Sequence, residues 1–133
     1  MIHPELPDAS LSRVCDLAWA AGLFEGEGTV SYHGSPYVCM TTTDLDVLER
    51  FHAVMSFGTL VGPYEASYPG KTKPYWRWQA YGLEKTQATI AYFWPYLGQR
   101  RRERYKEILA VSLARPGKGS PGVKRGPRRK AVA

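Results

Sequence analysis

Ala20-Ala21-Gly22-Leu23-Phe24-Glu25-Gly26-Glu27-Gly28 is the stretch on which the reading of this chain turns. Its small residues recur at helical spacing. Gly22 and Gly26 are four apart, so they share a face and let a second backbone come close. Glu27 falls where the helix is expected to stop, and Gly28 is expected to end it in the left-handed conformation that glycine tolerates. A carboxylate at a helix C-terminus meets the negative end of the dipole. A divalent cation is the obvious group that would make the position useful.

Outside this stretch, the bulk properties exclude more than they select. The chain has 133 residues, the size of one domain. It has no apolar run of membrane-spanning length and no basic-then-apolar secretory leader, so an intracellular protein without membrane or small-molecule cofactor is expected. Cys15 and Cys39 are isolated and are expected to be reduced and buried, not a disulfide or a zinc site. The net charge of +6 is unevenly spread. Residues 115–133 hold seven basic residues and no acid, which leaves a body with 11 basic and 12 acidic residues. That tail, rich in Gly and Pro, is expected to be disordered; it could bind phosphates or only solubilise. Positive charge on the body is local, at Lys71, Lys73 and Arg77 and again at Arg100, Arg101, Arg102, Arg104 and Lys106. Such patches fit a nucleic-acid binder, and they also fit solvated surface.

Periodicity divides the chain into an arm at 1–10, a domain at 11–114 and the tail at 115–133. A first helix is expected over 11–25, with Leu11, Val14, Leu17 and Ala18 as its apolar stripe. Two strands, 29–33 and 37–43, flank a turn at Gly34-Ser35-Pro36. A helix over 44–55, capped by Thr43 or Asp44, follows. A third strand at 59–62 and a fourth at 75–81 bracket a loop rich in Gly, Pro and Lys. Helices at 84–93 and 99–113 close the domain. Alternation in the strands places Thr29, Ser31, His33, Cys39, Thr41, Thr43, Tyr75, Arg77, Gln79 and Tyr81 on the face turned away from the helices. This set is rich in hydrogen-bonding groups. Arg77 suits the acceptor pair of guanine and Gln79 the donor–acceptor pair of adenine. Lys71 and Lys73, in the long loop, are placed for phosphates. A merely polar outer face would look similar.

The nine-residue stretch and this order of elements resemble the LAGLIDADG homing endonucleases. The motif matches with Ala20 for the first Leu, Phe24 for Ile, Glu25 and Glu27 for the two Asp, and Gly26 for the second Ala. The resemblance implies an α+β fold, an αββαββα unit whose antiparallel four-stranded saddle sheet carries helices on one face. The motif occurs once, which in that family implies a homodimer. The resemblance then implies contact between motif helices through Ala18, Ala21, Gly22 and Glu25, and Glu27 from each copy holding Mg²⁺ with help from Gly26. It implies double-strand cleavage of a long, near-palindromic DNA target, a role in intron or intein mobility, and a compact phage or bacterial source. The family also places a basic residue near the metals, for which Lys85 lies closest in sequence after the fourth strand. His3, His33 and His52 show no metal-ligand spacing, and no motif of an HNH or GIY-YIG nuclease, a P-loop or a Ser/His/Asp hydrolase occurs. Two rival expectations share the fold: a non-catalytic DNA-binding regulator, and an RNA-binding intron maturase.

Overall fold

A computed structural model describes residues 9–65 and 73–114, with side chains from Ser12 onward. Residues 1–8 of the expected arm, the basic tail and Lys71 therefore lie outside the described residues, whereas Ala9 and Ser10, expected in the arm, already belong to the first helix. The order of elements is α1 (Ala9–Glu27), β1 (Gly28–Tyr32), β2 (Pro36–Thr42), α2 (Leu45–Met55), β3 (Thr59–Tyr64), β4 (Tyr75–Tyr81), α3 (Leu83–Phe93), a 3-10 turn at Trp94–Tyr96 and α4 (Gln99–Ala114). The expected elements all form, within two residues at most ends. The 3-10 turn around Pro95 is additional; proline fits the first turn of a helix, where its missing N–H is not needed.

The strands make one antiparallel sheet in the order β1-β2-β4-β3. Val30 pairs with Val38 and Val38 with Ala80; Met40 pairs with Gly28 and with Trp78. These residues form the inner face, and Val30, Val38, Met40, Trp78 and Ala80 are buried. The helices cover this face only. The edge strand β3 is irregular: its register with β4 shifts between Val61 and Tyr64, around Gly62-Pro63. Among the described residues, no helix is long and apolar enough to cross a membrane.

Phe24 is the centre of the core. Its ring lies 6.3 Å from that of Phe51 on α2, 5.3 Å from Phe93 on α3 and 6.4 Å from Tyr105 on α4. One side chain of α1 thus touches every other helix. Trp78 extends the cluster from the sheet, edge-on to Phe51 at 4.9 Å, and its indole N–H donates to the Phe57 carbonyl at 3.1 Å. Offset and edge-on pairs of this kind contribute about 0.5–1.5 kcal/mol each beyond area burial. From outside, Arg13 donates to the Val54 carbonyl at 2.6 Å, and Arg50 lies 3.8 Å over the ring of Trp19, so α1 is fastened to α2 at two points.

The inward face of α1 differs from the expected stripe. Ala20, Ala21 and Phe24 are buried, whereas Val14 is 53% exposed and Ala18 only half-buried. Two alanines look inert in a pattern, but they let the helix press down until Phe24 reaches the other three helices. The cysteines are free, as expected, but they are not buried: Cys15 is exposed on α1 and Cys39 half-buried on β2. Gly28 is not a left-handed cap, because it is not among the residues with positive φ. It is already the first residue of β1 and is fully enclosed. A methyl group there would sit 2.3 Å from the Phe24 ring. Gly28 is needed for space, not for its torsion angles. Gly28→Ala is expected to destabilise the fold by about 2 kcal/mol or more, lowering the thermal midpoint by roughly 5–10 °C, as measured by circular dichroism.

Candidate nucleic-acid interface

The uncovered sheet face is ordered in rows by strand pairing. Thr29, Cys39, Gln79 and Thr59 form one row across all four strands. Ser31, Tyr37 and Tyr81 form a second, and Thr41, Arg77 and Val61 a third. The expected residues Thr29, Ser31, Cys39, Thr41, Arg77, Gln79 and Tyr81 are therefore brought together on one surface. His33 and Thr43 lie just past the ends of β1 and β2, and both are exposed. Tyr75 stands at the far end of β4, its ring stacked 5.3 Å from Tyr64. Lys73 is exposed just before β4.

Several of these side chains are held in place before any ligand arrives. The hydroxyl of Tyr81 donates to Gln79 Oε1 at 3.2 Å. Tyr37 is flanked by His33 and Tyr81, each at 5.6 Å between ring centres. The Arg77 guanidinium sits 5.8 Å over the Tyr64 ring, while its Nε is buried with no hydrogen-bond partner among the described residues. Burial pushes the Cys39 thiol up, against the opposing pull of the Arg77 charge. Sequence reading missed Tyr37, Thr59 and Tyr64 on this face. Alternation in β2 already pointed Tyr37 the same way as Cys39; the two β3 residues needed the pairing register.

At the end of the sheet where α1 enters β1, the two motif acids diverge. Glu27 is exposed and, among the described residues, has neither an ion pair nor a side-chain hydrogen bond. Glu25 turns inward. Its Oε1 lies so close to Gly98 that a methyl group there would be 3.1 Å away, and its Oε2 is buried without a hydrogen-bond partner. Gly22 and Gly26 are exposed with nothing within 4 Å of where a Cβ would stand. Of the four residues expected on the outer face of α1, Gly22 and the half-buried Ala18 are there. Ala21, at 0% exposure, belongs to the core, and Glu25 belongs to the contact with the start of α4. The outward ridge is made instead by Cys15, Ala18, Gly22 and Gly26, all small residues.

Beside Gly28 opens a cleft of about 460 Å³, bounded by β1 residues Gly28–Ser31 and by Arg100, Arg101, Arg104 and Tyr105 of α4. Arg101 Nη1 donates to the Gly28 carbonyl at 2.8 Å and to the Tyr105 hydroxyl at 3.2 Å. The cation at the end of α1, which the dipole argument required, is thus supplied by the protein itself. Arg104 pairs with Glu107 at 3.5 Å on the surface, an interaction of little weight. Lys85 stands elsewhere, exposed on α3 in the helical layer, with its carbonyl accepting from Thr89. The basic groups that the fold brings to the motif are arginines of α4. Among the described residues, no group of three or more His, Cys, Asp or Glu could hold a metal. At this corner of the described residues the carboxylate that stands exposed is Glu27, which follows Gly26 at the carbonyl end of α1. That oxygen donor set suits a hard divalent cation, but only as part of a site.

No protein-family model and no curated protein matches this chain. Its likeness is to solved structures. The homing endonuclease I-CvuI in complex with its target superposes with a TM-score of 0.59 at 16% identity, over 85% of this chain and 75% of that one. The archaeal intron-encoded homing endonuclease I-Vdi141I complexed with DNA gives 0.55 at 16% identity, over 76% and 70%. The LAGLIDADG meganuclease I-CpaMI bound to uncleaved DNA gives 0.54 at 13% identity, over 74% of this chain and 38% of that one. With the single motif at the end of α1, the β1-β2-β4-β3 sheet and helices on one side only, the chain has the fold of the LAGLIDADG homing endonucleases.

Proposed function

We propose that this chain is a site-specific DNA endonuclease that works as a homodimer and uses a divalent metal, Mg²⁺ by preference. The observation that carries this reading is a meeting of features at one end of the sheet. The exposed Glu27 carboxylate, the three-arginine cleft and the bare small-residue ridge of α1 all adjoin the polar face. The solved structures of the same fold support it: I-CvuI was studied with its target in the presence of Ca, and I-Vdi141I with DNA.

Each part has a chemical task. The open face spans four strands, and Gln79, Arg77 and Tyr37 on it are each braced by a neighbouring side chain. Arg77 and Gln79, central in their rows, suit base edges; Thr29, Ser31, Thr41, Tyr75 and Tyr81 can add hydrogen bonds to bases or phosphates. Cys39, His33, Thr43 and Lys73 lie around them. Lys71 belongs with these by sequence and lies outside the described residues. Arg100 and Arg104, exposed on one face of α4, place positive charge where the backbone would pass Gly28. Lys85, carried on the other side of the sheet, has no part in this arrangement.

Hydrolysis of a phosphodiester needs charge neutralised at the phosphate and a water made nucleophilic, which a bound divalent cation supplies. Glu27 is the side chain that would hold it, with the Gly26 carbonyl beside it. One carboxylate per chain is too few ligands, so the site is completed by a second copy. The α1 ridge gives the means. Small residues allow two helices to approach closely, and close approach brings two copies of Glu27 to one axis. Two identical readers on one axis recognise a near-palindromic target.

Three outcomes test this reading. Glu27→Gln should bind the target as the wild type does while cleavage in Mg²⁺ falls by roughly a hundredfold or more; plasmid cutting at the wild-type rate would sink the assignment. Gly22→Leu should shift the molar mass in sedimentation from twice 14.9 kDa to 14.9 kDa and abolish cutting. With its thiol held in the protonated form by a raised pKa, Cys39 should react slowly with a maleimide at pH 7 and more slowly still once a target duplex covers the sheet. Labelling followed by mass spectrometry reads this directly.

A further inference from the structure

We infer that Arg101 is the positioning residue for the Glu27 carboxylate, acting through the carbonyl of Gly28. The inference rests on the nuclease reading above and goes beyond it. Arg101 lies 73 residues further along the chain, yet its Nη1 meets the Gly28 oxygen at 2.8 Å. Gly28 is the residue immediately after Glu27. On its other side it is pressed against the Phe24 ring, with no room for a single added methyl group. The residue that follows Glu27 is therefore held from two directions, by an aromatic wall and by a charged donor.

The same guanidinium nitrogen also donates to Tyr105 at 3.2 Å, one turn along α4. Tyr105 is buried and feels both Arg101 and the negative charge of Glu25. So the inward acid of the motif, Glu25, stands on the same side as the clamp, and the outward acid, Glu27, is left clear of it. This division matters chemically. An arginine paired directly with Glu27 would compete with a metal ion for the carboxylate oxygens. Arg101 instead bonds a backbone oxygen. It offsets the helix dipole, fixes the peptide and leaves the carboxylate unpaired. A group that orients a ligand in this way commonly changes metal affinity or activity by about 10–100-fold when removed.

The experiment compares wild type with Arg101→Met, Arg101→Lys and Tyr105→Phe in the full-length protein. Single-turnover cleavage is measured across a Mg²⁺ titration, target binding in Ca²⁺, and amide hydrogen exchange at residues 27–29. For Arg101→Met, the Mg²⁺ concentration at half-maximal rate should rise about tenfold and the limiting rate fall about tenfold or more, with Kd for the duplex unchanged. Exchange should quicken at residues 27–29 but not at Leu48 or Val54 of α2. Arg101→Lys, which can still donate to the carbonyl, should recover part of the rate; Tyr105→Phe should lie between. Weakened duplex binding with an unaltered Mg²⁺ midpoint would overturn the proposal, making Arg101 a phosphate contact. So would unchanged exchange and cleavage in Arg101→Met. If the wild type bound duplex DNA but never cut it, the nuclease reading would fall, while unaltered exchange at residues 27–29 would independently overturn the clamp.

Discussion

The contact between the Phe24 ring and Gly28 is the constraint from which the rest of the structure follows. Phe24 gathers the four helices around one ring. Because Gly28 lies against that ring without a side chain, the chain can turn from α1 into β1 within a single residue. This abrupt turn places Glu27 at the surface, at the corner where helix ridge, sheet and α4 meet. A longer connection would bury the same core, yet it would not fix where the acid stands. Packing and candidate chemistry are therefore coupled through one van der Waals contact.

The sheet shows how a small domain can keep one face bare and ordered. The inner face is largely apolar and is buried at its centre, around Val38, Met40 and Trp78; the outer face is held by its own lateral contacts. Tyr81 restrains Gln79, Tyr64 backs Arg77, and Tyr37 lies between His33 and Tyr81. Side chains already restrained lose less conformational entropy on binding. That is an advantage for a surface expected to contact a long ligand at many points, each of small energy.

Most of the architecture was legible in the sequence. Alternation in β1, β2 and β4 set the two faces correctly, and of the spacing Leu45, Leu48, Phe51, Val54 and Met55 in α2 all but the half-buried Leu45 are in the buried set. The motif helix was harder. Its residues are small on several sides, so periodicity alone could not say whether Ala18 or Ala21 faced inward; the reach of Phe24 decides that. Glu25 and Glu27 look equivalent as letters, and only the closeness of Gly98 and Tyr105 separates them. Arg100, Arg101 and Arg104 read equally as phosphate contacts or as an ordinary solvated helix face, because nothing local marks a side chain whose partner lies 73 residues away. Lys85 lies close to the fourth strand in sequence, but nearness in sequence does not measure distance across a sheet.

An open sheet ends in edges, and β3 is the edge that no helix guards by its own bonding to the strand. There the ladder breaks at Gly62-Pro63, and proline offers no amide hydrogen to an incoming strand. A neighbouring molecule that tried to continue the sheet sideways would find the pattern of donors interrupted. The irregularity thus works as a safeguard for solubility: a broad flat surface can stay uncovered in a concentrated solution without seeding fibrous stacks of sheets.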